Sequence, residues 1–150
     1  NPASIASCGF TPVNIASNER GVISPETVAS VMSDTVGGIM VTNPNTLGLY
    51  EENIKQIADI IHARGGQVYC DGANLNAVMG IVQMGALGVD VMHVNLHKTF
   101  SSPHGGGGPG AGPVCARRHL EPFLPVPRVV KVCERFELSY YYPESIVKFH

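Results

Sequence analysis

Gln67-Val68-Tyr69-Cys70-Asp71-Gly72-Ala73-Asn74, followed by Val89-Asp90-Val91-Met92-His93-Val94-Asn95-Leu96-His97-Lys98, is the part of the chain on which the fold turns. Gln67 to Cys70 has the branched and aromatic character of a strand. The short polar and small residues from Asp71 to Asn74 suit a functional loop at its end. Val89 to Leu96 reads as a further strand, ending at His97-Lys98. Between the two, Leu75 to Leu87 is apolar, and Gly80 and Gly85 weaken its reading as a single helix. Upstream, Gly38 to Thr42 is a compact apolar run stopped by Asn43-Pro44-Asn45, the pattern of a buried strand running into a loop. From Glu51 to Arg64, Ile54, Ile57, Ala58 and Ile61 recur at helical spacing, acids stand in the first turn, and Gly65-Gly66 supplies a left-handed stop. Ser24 caps a helix from Pro25 to about Met32, and Val13 to Ile15 is read as a short strand. Strand, helix, strand, irregular crossover, strand implies parallel pairing, because parallel neighbours need long connections. The expected architecture is a doubly wound α/β sheet, mostly parallel, with flanking helices. It occupies residues 1–128, and a tail from 129 to 150 leads toward further structure.

In an open parallel sheet, ligands bind beyond the carboxyl ends of the strands. The strands here deliver Asn43, Asp71 and Lys98 to that one edge. A lysine that forms an imine with an aldehyde needs its amine unprotonated, which a desolvated site favours, and Val94 and Leu96 are apolar flanks. A ring cofactor acting as an electron sink is more effective with its pyridine nitrogen protonated, and a buried aspartate is the natural counter-ion. Taken singly, Lys98 is an ordinary solvated lysine and Asp71 a turn former. Together at successive strand ends they point to pyridoxal 5′-phosphate (PLP). His97 has two readings, a contact to the cofactor phosphate or packing in the strand-end turn, whereas His93 and His104 receive no sharp role. Gly105 to Gly110 satisfies G-x-G-x-x-G, but it does not join a strand to a helix and contains Pro109, so dinucleotide binding is discounted. The glycines suit a loop that wraps a cofactor or hinges over a substrate.

Composition narrows the alternatives. At 150 residues the chain fits one domain. With 44% hydrophobic and 15% charged residues it is not of disordered composition, and a net charge of -2 gives no reason to expect nucleic acid. The cysteines, Cys8, Cys70, Cys115 and Cys133, form no C-x-x-C pair, so no metal knuckle is expected and reduced thiols of an intracellular protein are. No apolar run reaches the roughly 18 residues of a membrane span. Asn1-Pro2-Ala3-Ser4 reads like the middle of a turn, and a fragment is expected.

The strings Asp71-Gly72-Ala73-Asn74-Leu75-Asn76-Ala77, Asn95-Leu96-His97-Lys98-Thr99-Phe100 and Pro103-His104-Gly105-Gly106-Gly107-Gly108-Pro109-Gly110 resemble the decarboxylating glycine dehydrogenases, the P-proteins of the glycine cleavage system. Asn1 to Ser4, Thr42 to Gly48 and His119 to Pro125 are similar to that family as well, so nearly the whole chain takes part. The resemblance implies part of the large domain of the type I PLP-dependent, aspartate-aminotransferase-like fold, from the C-terminal half or second subunit of such an enzyme. It implies Lys98 as the imine lysine, Asp71 at the pyridine nitrogen, Thr42 and Asn43 beside the ring and His97 beside the phosphate. The implied reaction releases the glycine carboxylate as CO2 and passes the aminomethyl group to the lipoyl arm of H-protein. A homodimer or a heteromeric P-protein assembly is implied, in the cytoplasm of a bacterium or archaeon or in the mitochondrial matrix of a eukaryote. Upstream phosphate-binding elements and a smaller C-terminal domain are missing, so the isolated piece is expected to be impaired. Another type I PLP decarboxylase or transaminase, and a non-catalytic fragment that binds a partner, are the competing readings.

Overall fold

Burial alternates strictly along β2 (Gln67–Gly72): Val68, Cys70 and Gly72 are buried, whereas Gln67, Tyr69 and Asp71 are half-buried. The same period of two runs through β3 (Val91–Val94), which buries Met92 and Val94 and leaves Val91 and His93 on the other face. In β1 (Gly38–Thr42) Val41 is buried and Thr42 is not. β1 pairs parallel with β2, and β2 parallel with β3. This is the arrangement of a computed structural model, which describes residues 1–107 and 110–141. The sheet is completed by β4 (Val114–Ala116), in the order β1-β2-β3-β4. Val94 N donates to Pro113 O at 3.0 Å and Leu96 N to Ala111 O at 3.4 Å, so the segment entering β4 runs against β3.

The buried face is covered by α3 (Ile54–His62), whose Ile54, Ile57, Ala58 and Ile61 pack with Val41, Val68, Cys70 and Met92. α2 (Pro25–Val31) lies against α3 and adds Val28, and Ser24 caps it through a bond from Thr27 N to Ser24 Oγ at 3.2 Å. Gly65, at φ +77°, ends the α3 segment as expected. The helix begins at Ile54 and not at Glu51, because Glu51 is spent on tertiary bonds. Its carboxylate accepts from Ile23 N at 2.9 Å and from Asn45 Nδ2 at 3.2 Å, and its N–H donates to Asn43 Oδ1 at 3.0 Å. No acid stands in the first turn of the helix as formed.

Other expectations change in detail. Val13 to Ile15 is not part of a strand. Leu75 to Leu87 forms two short 3-10 turns, Leu75–Ala77 and Met84–Leu87, with Gly80 at φ +78° between them. β2 extends through Asp71 and Gly72, beyond the end read from the sequence. β3 is shorter than Val89 to Leu96. At its start the Asp90 carboxylate accepts from Val68 N at 2.8 Å, and at its end the chain turns into α4 (Leu96–Thr99). A six-residue helix, α1 (Pro2–Ser7), opens the chain.

The chain divides into two compact units between Cys115 and Ala116, whereas the sequence reading drew its line after residue 128. The second unit holds a 3-10 segment, Arg118–Phe123, and an antiparallel hairpin of β5 (Arg128–Val132) and β6 (Arg135–Ser139). Arg128 Nη1 is 3.1 Å from Glu121 Oε1. The tail thus has regular structure as far as Ser139, and Tyr142 to His150 lie outside the described residues. So do Gly108 and Pro109 of the glycine run. Among the described residues no helix is long and apolar enough to cross a membrane.

Candidate functional site

Register makes the site. Thr42 is the partner of Asp71, and Asp71 is the partner of His93. Adjacent parallel strands in register share their pleat, so these side chains form a row on the sheet face opposite α3, at the carboxyl ends of β1, β2 and β3. The side chain of Asp71 is 16% exposed. Its Oδ1 accepts from Ala73 N at 2.9 Å and lies 3.1 Å from His93 Nε2, while its Oδ2 accepts from Asn1 Nδ2 at 3.1 Å. Beyond it, the Tyr69 hydroxyl lies 2.8 Å from His93 Nδ1. Burial, followed by the neighbouring charge of Asp71 and then Cys70, raises the Tyr69 phenol above its ordinary value.

Gly72 follows Asp71 and belongs to the buried face of β2. A Cβ there would run into the backbone carbonyl of His93, so only glycine lets β2 and β3 approach at this level. Asn74 Nδ2 donates to Pro44 O at 2.9 Å and to Asn45 O at 3.3 Å, tying the loop after β2 to the loop after β1. Asn43 is 1% exposed and sits below that loop, with Oδ1 bonded to Glu51 N and Nδ2 without a hydrogen-bond partner.

α4 follows β3 immediately and packs against the turn at Leu75–Ala77, which continues the loop that Asp71 opens. Lys98 is on this single helical turn, exposed, with its N–H bonded to Asn95 O at 3.1 Å. The strand-tip position expected for Lys98 is therefore replaced by one turn of helix beyond the tip. Asn95 Oδ1, His97 Nδ1 and Thr99 Oγ1 on the same segment are buried polar atoms with no hydrogen-bond partner among the described residues. Such atoms are costly to leave unmade.

The rings of His97 and His104 are 4.0 Å apart at their centroids. Desolvation, then the positive charge of His104 and of Lys98, pushes the His97 imidazole below its usual value. Unfolded His97 then takes up its proton at a higher pH than folded His97. Acidification just below the ordinary histidine range of about 6.5 thus favours the unfolded chain. An NMR titration of the imidazole signals is expected to place His97 below a free histidine, and His104→Ala to move it back up. A midpoint unmoved by His104→Ala contradicts the pairing.

Of the residues singled out in the sequence, Thr42 and Asp71 are neighbours in the sheet, His97 and Lys98 share α4, and Asn43 underlies the loop after β1. Tyr69, His93 and Asn1, which touch this acid or its neighbour, drew no role in the sequence reading. The alternation in β2 and β3 could have placed Tyr69, Asp71 and His93 on like faces, but not the register that sets His93 opposite Asp71.

A probable glycine dehydrogenase (decarboxylating) subunit 2 from Caldanaerobacter subterraneus subsp. tengcongensis is 55% identical over 148 residues, 99% of this chain and 30% of that protein. The same subunit name belongs to relatives from Alkaliphilus oremlandii, 54% identical over 99% of this chain, and Listeria innocua, 50% identical over 97%. The chain spans about 30% of the length of each of these relatives. Among solved structures, the cysteine desulfurase CsdA from Escherichia coli superposes with a TM-score of 0.64 over 91% of this chain and 34% of its own, at 19% identity. A cysteine desulfurase from Thermococcus onnurineus gives 0.59 over 93% of this chain and 34% of its own, at 18% identity. These likenesses show the fold, the α/β, mostly parallel architecture of the type I PLP-dependent enzymes. The family model for aminotransferase class-V matches residues 3–144, and the chain belongs to that family.

Proposed function

We propose that this chain supplies the PLP-binding core of a glycine-decarboxylating dehydrogenase, the P-protein component of a glycine cleavage system. The observation that supports the proposal is the placement of Asp71 near the end of β2 and of Lys98 on α4, just past the end of the neighbouring parallel strand β3, in a chain 55% identical to a relative named for this activity. The residues present fit the cofactor. A half-buried carboxylate with fixed hydrogen bonds suits a protonated ring nitrogen, the amine of Lys98 is open to an aldehyde but lacks the desolvation expected of it from the sequence, and the unpartnered polar atoms of His97 and Thr99 suit a phosphate.

Bound PLP supplies an electron sink for the pair left behind when a substrate carboxylate departs as CO2. Asp71 holds the proton on the ring nitrogen, kept in place by Ala73 N–H and His93. Lys98 would anchor the cofactor through its amine, which stands on α4 where it could also carry protons. Thr42, the register partner of Asp71, and the unpartnered amide of Asn43 would be further polar groups for the cofactor. His97, held neutral by desolvation and its cationic neighbours, serves the phosphate as a neutral hydrogen-bonding group. Glycine is the substrate, and the lipoyl arm of H-protein receives the aminomethyl group. The remaining site elements come from the additional length seen in the relatives, in a homodimer or heteromeric assembly.

Glycine-dependent exchange of labelled bicarbonate, measured with lipoylated H-protein on the full chain, tests this reading. The expected result is exchange that requires both glycine and H-protein. Turnover of a different amino acid under conditions where glycine gives none contradicts it.

A further inference from the structure

Asp71 is held by a neighbour that is itself held by a second neighbour. Tyr69 and Asp71 are two residues apart on one face of β2, and β3 brings His93 opposite Asp71. An ionised carboxylate only accepts, so the 3.1 Å contact between His93 Nε2 and Asp71 Oδ1 places a proton on Nε2. In the neutral ring Nδ1 is then the acceptor, and the Tyr69 O–H donates to it across 2.8 Å. The rings of Tyr69 and His93 are 5.8 Å apart and tilted by 40°, so a hydrogen bond and not stacking joins them. Ala73 N–H takes the same Oδ1. One carboxylate oxygen is thus fixed by two donors, whereas Oδ2 carries a single bond from Asn1 Nδ2.

We propose that His93 is a positioning residue for Asp71, donating Nε2–H to Oδ1 while its Nδ1 accepts from the Tyr69 hydroxyl, so that Asp71 presents Oδ2 to a cofactor. This rests on the PLP reading above for its consequence, but not for the hydrogen-bond chain itself. Tyr69 is suited to the donor's part, because burial and the charge of Asp71 keep its phenol protonated. A merely structural His93 would need only its bulk between β2 and β3. A positioning His93 needs its proton on one nitrogen.

The test has a part without cofactor and a part with it. Nitrogen-15 NMR of the full chain, free of PLP, is expected to show His93 with a proton on Nε2 and with Nδ1 bare. Tyr69→Phe should leave the proton on Nε2 and move the Nδ1 signal toward that of a nitrogen with no hydrogen bond, and an unmoved Nδ1 signal contradicts the part given to Tyr69. The proton on Nδ1 in the unsubstituted chain overturns the proposal outright. With PLP added, His93→Leu should weaken binding about tenfold, the scale of one lost charge-assisted hydrogen bond. His93→Gln, which keeps an N–H, should recover most of that loss. Equal loss in the Leu and Gln variants, or no loss in His93→Leu, also overturns it. Absence of any Lys98-dependent PLP absorbance in the unsubstituted chain defeats the cofactor reading instead. If His93→Leu fails to fold, the tautomer and the Gln variant decide.

Discussion

Lys98→Ala is expected to abolish the trapping of PLP on this chain by borohydride reduction. The sequence has lysines at 55, 98, 131 and 148, so the labelled position is informative. Lys55 is paired with Asp59 at 2.5 Å and Lys131 lies 3.6 Å from Glu134, each a surface amine with a carboxylate beside it. Lys98 has a different setting. It is exposed on a single turn of helix beyond β3, flanked by His97 and Thr99, each with a buried polar atom still to be satisfied. An aldehyde carrying a phosphate would therefore be held at Lys98 by more than its carbonyl carbon. Peptide mapping of the reduced chain should find the pyridoxyl group on Lys98, and label spread evenly over the lysines would contradict the assignment.

Asp71→Asn is expected to weaken PLP binding by about 10- to 100-fold, the range of a charge-assisted hydrogen bond of about 1.5–3 kcal/mol. Asparagine has nearly the shape of aspartate and can still accept from Ala73 N–H, but it brings no charge to a protonated ring nitrogen. The far-ultraviolet circular dichroism should stay the same, which separates a lost counter-ion from a disordered loop. Titration of the PLP absorbance against protein concentration gives the constant. Unchanged affinity in a folded Asp71→Asn chain removes Asp71 from the cofactor site.

How much of this was legible in the residues differs from element to element. The buried face was readable, because Ile54, Ile57 and Ile61 repeat at the helical period and Gly65 supplies a left-handed stop. The parallel order of β1, β2 and β3 followed from the length of the connections, since α3 and the Leu75 to Leu87 crossover leave no room for hairpins. What escaped was set by tertiary bonds. Glu51 looked like a first-turn acid, but it bonds Ile23 and Asn45 and leaves the helix to start at Ile54. The apolar run through Leu96 looked like one strand, yet β3 stops at Val94 and Asn95 opens a helical turn, which moves Lys98 off the strand tip. The hairpin of β5 and β6 left no period in the sequence, because nearly all its residues on both faces are exposed.

The site follows the same division. Asp71 and Lys98 stand out by residue type at the ends of apolar strands, and Thr42 joins Asp71 because the strands begin in register at Gly38 and Gln67. His93 is invisible without that pairing. Its side chain gains meaning only when β3 is set against β2 with Asp71 opposite, a relation between residues 22 apart that no local pattern encodes. Asn1 reaches Asp71 across 70 residues of sequence and is legible only once the chain has folded.

A structure of the full chain with PLP bound tests most directly whether one cofactor engages both the acid and the amine. The expected result is the aldehyde carbon joined to Lys98 Nζ and the ring nitrogen within hydrogen-bond distance, about 3 Å, of an Asp71 carboxylate oxygen. A ring seated away from Asp71, or joined to another lysine, would contradict it.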